Sequence, residues 1–169
     1  VDESDIKANL RTEGASGTRI AEVLAEAKAV SVSQKHPGKI VLGADQVLEC
    51  DGKTIDKPVD AVDAISQLRT LRGKRHQLIS SAAIVREGSC TWRAAERANL
   101  EIRGDASDSF FTSYLEAAAE DIYNGPGAYR IESLGAQLFS RVDGSHFAVL
   151  GLPMMDLLCY LRREGVLVT

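Results

Sequence analysis

The chain has 169 residues, 44% of them hydrophobic and only 5% aromatic, with 24 acidic against 20 basic side chains and a formal net charge of −4. That length buries one core and is short for two independent domains, and apolar positions filled by Ala, Val, Leu and Ile suit helices packed closely on a sheet, so residues 1–169 read as one α/β domain. The acidic balance offers no general attraction to a nucleic acid polymer or an anionic membrane, and no apolar run approaches the roughly 20 residues that span a bilayer, so the expectation is a soluble, cytoplasmic protein with neither partner.

From Ser16 or Thr18 to about Ser33, Ile20, Val23, Leu24 and Ala27 recur at helical spacing behind an N-cap residue, with Lys28 on the flank of the apolar face. Lys39 to Cys50 reads as a buried strand, and Asp51-Gly52 turns it back through Lys53 to Asp56. Asp60 caps a helix carrying Ala61, Ala64, Ile65, Leu68 and Leu71, which Gly73 ends as the C′ residue. Gln77–Arg86 and Cys90–Ile102 read as strands joined at Glu87-Gly88-Ser89. A polar loop over Gly104–Ser109 precedes a helix from about Thr112 to Asp121, and Tyr123-Asn124-Gly125-Pro126-Gly127 lets the chain turn sharply. Gln137–Val142 and Ser145–Leu150 are expected to pair as a hairpin across Asp143-Gly144. Pro153 opens a last helix with Leu157, Leu158 and Leu161 facing inward, closed by Gly165.

An apolar run stops at Asp45, and Lys57-Pro58 and the basic turn Leu71-Arg72-Gly73-Lys74-Arg75-His76 follow. A sheet that presents a carboxylate and cations at a strand end suits a metal-assisted phosphate-ester or phosphoanhydride enzyme. Singly, each residue has an ordinary reading. Asp45 is as well a structural buried carboxylate, Lys57 a solvated ammonium held out by an extended pre-proline backbone, and Arg72, Lys74 and Arg75 cations opposing a helix dipole. Glu3, Asp5, Glu22, Asp105 and Asp108 read as solvated acids, while Glu132 and Gln137, flanking Leu134-Gly135, are placed to read the edge of a base. His76 reads as a structural histidine, and no His pair has zinc-ligand spacing. Cys50, Cys90 and Cys159 are too far apart for a Cys-x-x-Cys pair and read as reduced thiols.

Taken together, these motifs resemble the Maf family of nucleoside triphosphate pyrophosphatases, and the resemblance runs over nearly the entire chain. It is carried by Asp2-Glu3, Glu26-Ala27-Lys28-Ala29, Gly43-Ala44-Asp45, Lys57-Pro58 and the basic turn. Gly127-Ala128-Tyr129-Arg130-Ile131-Glu132-Ser133-Leu134-Gly135, Asp143-Gly144-Ser145 and Gly151-Leu152-Pro153 complete the series. The resemblance implies a mixed, elongated α/β sheet flanked by helices, with the nucleotide in a cleft between two lobes, and a homodimer. It also implies hydrolysis of a nucleoside triphosphate to the monophosphate and pyrophosphate with a divalent metal, usually magnesium and alternatively manganese, in the removal of unwanted nucleotides. Asp45 would orient or deprotonate the attacking water, Glu3 and Asp45 would hold the metal, and Lys28 and Lys57 would grip the triphosphate, with Arg75 counted among the substrate-binding residues.

Family members with pyrimidine preference typically carry Thr after the key Asp and Gln in the later segment, whereas this chain has Gln46 and Glu132. That pair resembles the branch associated with 7-methyl-GTP, and a carboxylate is a sensible acceptor for the N1 and N2 donors of guanine. The chain departs from the family in one respect. Members normally open with a strand and a Ser-rich loop ending in Pro-Arg-Arg, but prolines occur here only at 37, 58, 126 and 153, and the expectation is that natural residues precede Val1. The competing reading is a noncatalytic nucleotide-binding protein acting in cell division or septum control, which would keep the lysines and have no need of Asp45.

Overall fold

The computed structural model describes residues 2–168. Asp2 caps the first helix, α1 (Glu3–Thr12), its Oδ1 accepting from the backbone N–H groups of Ser4 and Asp5 at 3.1 and 3.2 Å. The sequence reading assigned no element here, and the reason is physical: α1 buries none of its residues, so no apolar stripe announces it. Helix α2 (Gly17–Ser33) starts where expected, with the Ser16 hydroxyl accepting from the N–H of Arg19. It buries Ile20, Ala21, Leu24, Ala25 and Ala29.

Strand β1 (Ile40–Cys50) turns through Asp51 and Gly52, both at positive φ, into β2 (Lys53–Ile55), pairing Leu48 with Ile55 and Cys50 with Lys53. Asp60 caps α3 (Ala61–Leu71) by accepting from the N–H of Asp63 at 2.7 Å. The chain leaves that helix at Arg72, and Gly73 (φ +69°) donates its N–H to the carbonyl of Ile102. Strands β3 (Arg75–Arg86) and β4 (Ser89–Ile102) begin slightly earlier than the sequence suggested. β3 is buried along nearly its whole length, the polar His76, Ser80 and Ser81 included.

Three segments differ from expectation. Helix α4 (Asp108–Ala118) starts four residues before Thr112, because Ser107 supplies an N-cap that accepts from the N–H of Phe110. A 3-10 helix over Ala119–Tyr123 follows. The anticipated hairpin across Asp143-Gly144 does not form. β5 (Phe139–Asp143) pairs instead with β4, and the expected second strand is a short helix, α5 (His146–Val149). Ser145 decides this: its hydroxyl accepts from the N–H of Phe147 and its carbonyl from that of Val149, so a capping signal prevails where a turn signal was read. In the last helix, α6 (Met154–Arg163), Pro153 occupies the N-cap position, and Leu157 is buried while Leu158 and Leu161 are half-buried.

The strand order is β2-β1-β3-β4-β5. Two compact units emerge, one comprising Val1–Gln46, Ile79–Arg97 and Ser145–Thr169, the other Val47–Leu78 and Ala98–Gly144. β1, β3 and β4 supply residues to both. The first unit centres on Ile20, Leu24, Ala29, Val41 and Val85, the second on Leu68, Leu71, Leu100, Phe111 and Leu138. Among the described residues no helix is long and apolar enough to cross a membrane.

Candidate active site

The first unit brings an acid and a cation together because α2 lies very close to β1. A Cβ at Gly43 would overlap the carbonyl oxygen of Ala25 and lie 2.8 Å from the Cβ of Ala29, so only glycine permits this approach. Alternation along the strand puts Asp45 on the same face as Gly43, toward the helix that carries Lys28. The Lys28 ammonium lies 2.6 Å from Asp45 Oδ1 and 3.2 Å from Glu3 Oε1. Residues 3, 28 and 45 thus meet at one point.

The Asp45 side chain is 7% exposed, against 33% for Lys28 and 43% for Glu3. Burial pushes the Asp45 carboxyl above the ordinary Asp range, and the hydrogen bond and charge of Lys28 pull against it. Burial also works against the Lys28 ammonium, but Asp45 and Glu3 together raise it above its ordinary value, so it stays protonated. Asp45 Oδ2 is buried and has no hydrogen-bond partner among the described residues. Such an oxygen is costly unless a donor or cation meets it. Among the described residues no group of three or more His, Cys, Asp or Glu side chains could hold a metal. Glu3 and Asp45 do offer two carboxylates and one unsatisfied oxygen, which fits a hard cation that takes one or two carboxylates and completes its shell with phosphate oxygens and water.

Gln46, one residue on, faces the other side of β1. Its Nε2 lies within hydrogen-bonding distance of three acceptors, Ser80 Oγ at 3.0 Å and the carbonyls of Ala148 and Val149 at 3.1 and 3.0 Å. Ser80, fully buried, donates in turn to the Ala148 carbonyl at 2.6 Å. Surrounded by acceptors, the amide is fixed with nitrogen inward, and Oε1 takes no part in this network. Sequence reasoning missed Ser80, since its partners lie 34 and 68 residues away and nothing local marks it.

The remaining candidates belong to the second unit. Lys57 is exposed and makes no ion pair or side-chain hydrogen bond among the described residues, while the Pro58 that follows it is buried. The basic turn is internally compensated: Arg72 meets Asp108 and lies over the Phe111 ring, and Lys74 meets Asp51 at 2.8 Å. Arg75, 60% exposed, lies 3.7 Å from Glu101 and 3.6 Å from Asp143. Glu132 is exposed and held by Arg130, which also donates to Asp121. His76 is buried with its Nε2 2.8 Å from the Tyr129 hydroxyl, and burial lowers its pKa to about 4, as befits a neutral structural histidine.

A family model described as Maf-like protein matches residues 1–164. The chain belongs to the Maf-like protein family. Among its Maf-like relatives, the nucleoside triphosphate pyrophosphatase of Paramagnetospirillum magneticum is 45% identical over 168 residues, covering 99% of this chain and 86% of the relative. That of a Ruegeria species is 46% identical, covering 99% of this chain and 83% of the relative. The 7-methyl-GTP pyrophosphatase of Brucella abortus is 39% identical, covering 97% and 82%.

Proposed function

We propose that this Maf-like protein hydrolyses a nucleoside triphosphate to the monophosphate and pyrophosphate, with Asp45 as the general base. The observation that carries the mechanism is the Lys28 ammonium bridging Asp45 and Glu3 while the second oxygen of Asp45 is buried without a partner among the described residues. A protein that only bound nucleotides would gain nothing from a desolvated acid. An acid raised by burial, however, is a stronger base once ionised, and general-base catalysis of this kind is worth roughly 10²–10⁴ in rate.

In the proposed step a water oxygen attacks the α-phosphorus and its proton passes to the Asp45 carboxylate. The bond from the α-phosphorus to the bridging oxygen breaks, and pyrophosphate leaves. Lys28 remains an ammonium beside the base, and Lys57, which makes no ion pair among the described residues, binds the polyphosphate as a point charge. Glu3 and Asp45 would hold the divalent cation, magnesium or alternatively manganese, whose chemistry when bound is to take up charge on the phosphate oxygens. Arg75 is the weakest of the proposed phosphate ligands, because Glu101 and Asp143 already face it.

For the base, Glu132 is the proposed acceptor for guanine donors, and Gln46 can contribute only through its Oε1. A purine such as 7-methyl-GTP is the substrate this favours, in keeping with the name of the Brucella relative. The same reading carries a cytoplasmic enzyme and a homodimer, the latter checked by light scattering. Products should be separated by chromatography after incubation with 7-methyl-GTP, GTP, dTTP and UTP. The expected products are the monophosphate and pyrophosphate, with guanine nucleotides turned over faster. A diphosphate and inorganic phosphate would contradict the reaction, and equal or faster turnover of dTTP and UTP would remove the base assignment alone.

A further inference from the structure

The segment that follows the Gly125-Pro126-Gly127 turn is built around one guanidinium. Arg130 Nε donates to Glu132 Oε1 at 2.9 Å, and Nη2 lies 2.9 Å from the same oxygen. Arg130 Nη1 donates to Asp121 Oδ1 at 2.9 Å, and that oxygen also accepts from Asn124 Nδ2. Exposed pairs of this kind ordinarily contribute little, since two long side chains must be ordered for a screened attraction. Here the backbone is fixed beforehand. Tyr129, the residue before it, is buried edge-on against Phe139. A Cβ at Gly135 would overlap the Arg130 carbonyl, so the glycine lets the following turn close onto it. The N–H and hydroxyl of Ser133 both donate to that carbonyl.

We infer that Arg130 is a positioning residue for base recognition: it occupies one oxygen of Glu132 and leaves Oε2 as a single, oriented acceptor. The inference rests on the reading of Glu132 as the residue that meets the base. Two donors converging on Oε1 use both of its lone pairs, so further donors must approach Oε2. The N1–H and exocyclic amine of a guanine edge are such donors, whereas uracil offers two carbonyl oxygens around one N–H. Asp121, Arg130 and Glu132 together carry one net negative charge, which also suits the positive charge that N7 methylation places on guanine.

The test is kcat and KM for 7-methyl-GTP and for UTP in the wild type, Arg130→Met, Arg130→Lys, Glu132→Ala and the double variant Arg130→Met/Glu132→Ala. The expected result is a fall of about tenfold in the 7-methyl-GTP to UTP ratio of kcat/KM for Arg130→Met, carried mainly by the KM for 7-methyl-GTP. Arg130→Lys should recover part of it, and the double variant should be no worse than Glu132→Ala alone. Asp121→Asn, which keeps Arg130 and loosens its second anchor, should lower the ratio in the same direction by less. The inference is overturned if Glu132→Ala lowers the ratio while Arg130→Met and Asp121→Asn leave it unchanged, or if the two losses multiply in the double variant. A ratio unmoved by Glu132→Ala would overturn the inference and the reading of Glu132 together.

Discussion

Asp45 and Lys28 hold each other in unequal circumstances. Burial pushes the carboxyl up, and Lys28 is the chief influence that opposes it. Replacing Lys28 by Met removes that opposition, so the carboxyl rises further and a smaller fraction is ionised at any acidic pH. The acid limb of the kcat/KM profile should therefore move to higher pH in Lys28→Met, as measured by pyrophosphate release from pH 5 to 9. A limb that stays in place would show that Asp45 does not set it. His76 gives a separate pH signature, in stability. Its folded pKa of about 4 lies below the ordinary 6.5, so the unfolded chain binds the proton first. The His76 contribution to stability is full above about pH 6.5 and declines as pH falls toward 4, by about 3 kcal/mol at most from 1.36 kcal/mol per pH unit. Urea titrations at several pH values should show a shallower decline over that interval for His76→Phe than for the wild type. Asp45 was legible as a residue because it interrupts an apolar run. Ser80 and Arg130 were not, because their importance lies in partners that only the fold supplies or in which oxygen of a neighbour they occupy.

The contact between α2 and β1 sets the geometry of the site, and Gly43 is where it is closest. Gly43→Ala should force the helix away from the strand, lowering stability by about 1–3 kcal/mol, as overpacking generally does. Because Lys28 rides on the displaced helix, kcat/KM should fall as well; unchanged stability in a urea titration would contradict the close-packing argument. Elements with a clear cap or turn signal were readable in the chain: α2 behind Ser16, α3 between Asp60 and Gly73, and the hairpins at Asp51-Gly52 and Glu87-Gly88. α1 was not, since a helix that buries nothing shows no periodicity, and α5 was misread because Asp143-Gly144 signals a turn while Ser145 signals a cap. Short elements are settled by such local competition, whereas long ones are settled by the face they bury.

At the scale of the whole chain, three residues drawn from α1, α2 and β1 come together in the first unit, and the residues proposed to read the base and grip the polyphosphate include Glu132 and Lys57 of the second. A protein of net charge −4 has no overall attraction for an anionic substrate, so binding must depend on a few placed cations. Relatives at 45 and 46% identity, each matched over 99% of this chain, are nucleoside triphosphate pyrophosphatases, which supports the proposed reaction class, and the proposed choice of base rests on Glu132, Arg130 and Gln46. The most direct test of the central claim is pyrophosphate release by Asp45→Asn beside the wild type, with folding checked by circular dichroism. The account predicts a fall in kcat of about 10²-fold or more in a folded protein; turnover within about twofold of the wild type would contradict it.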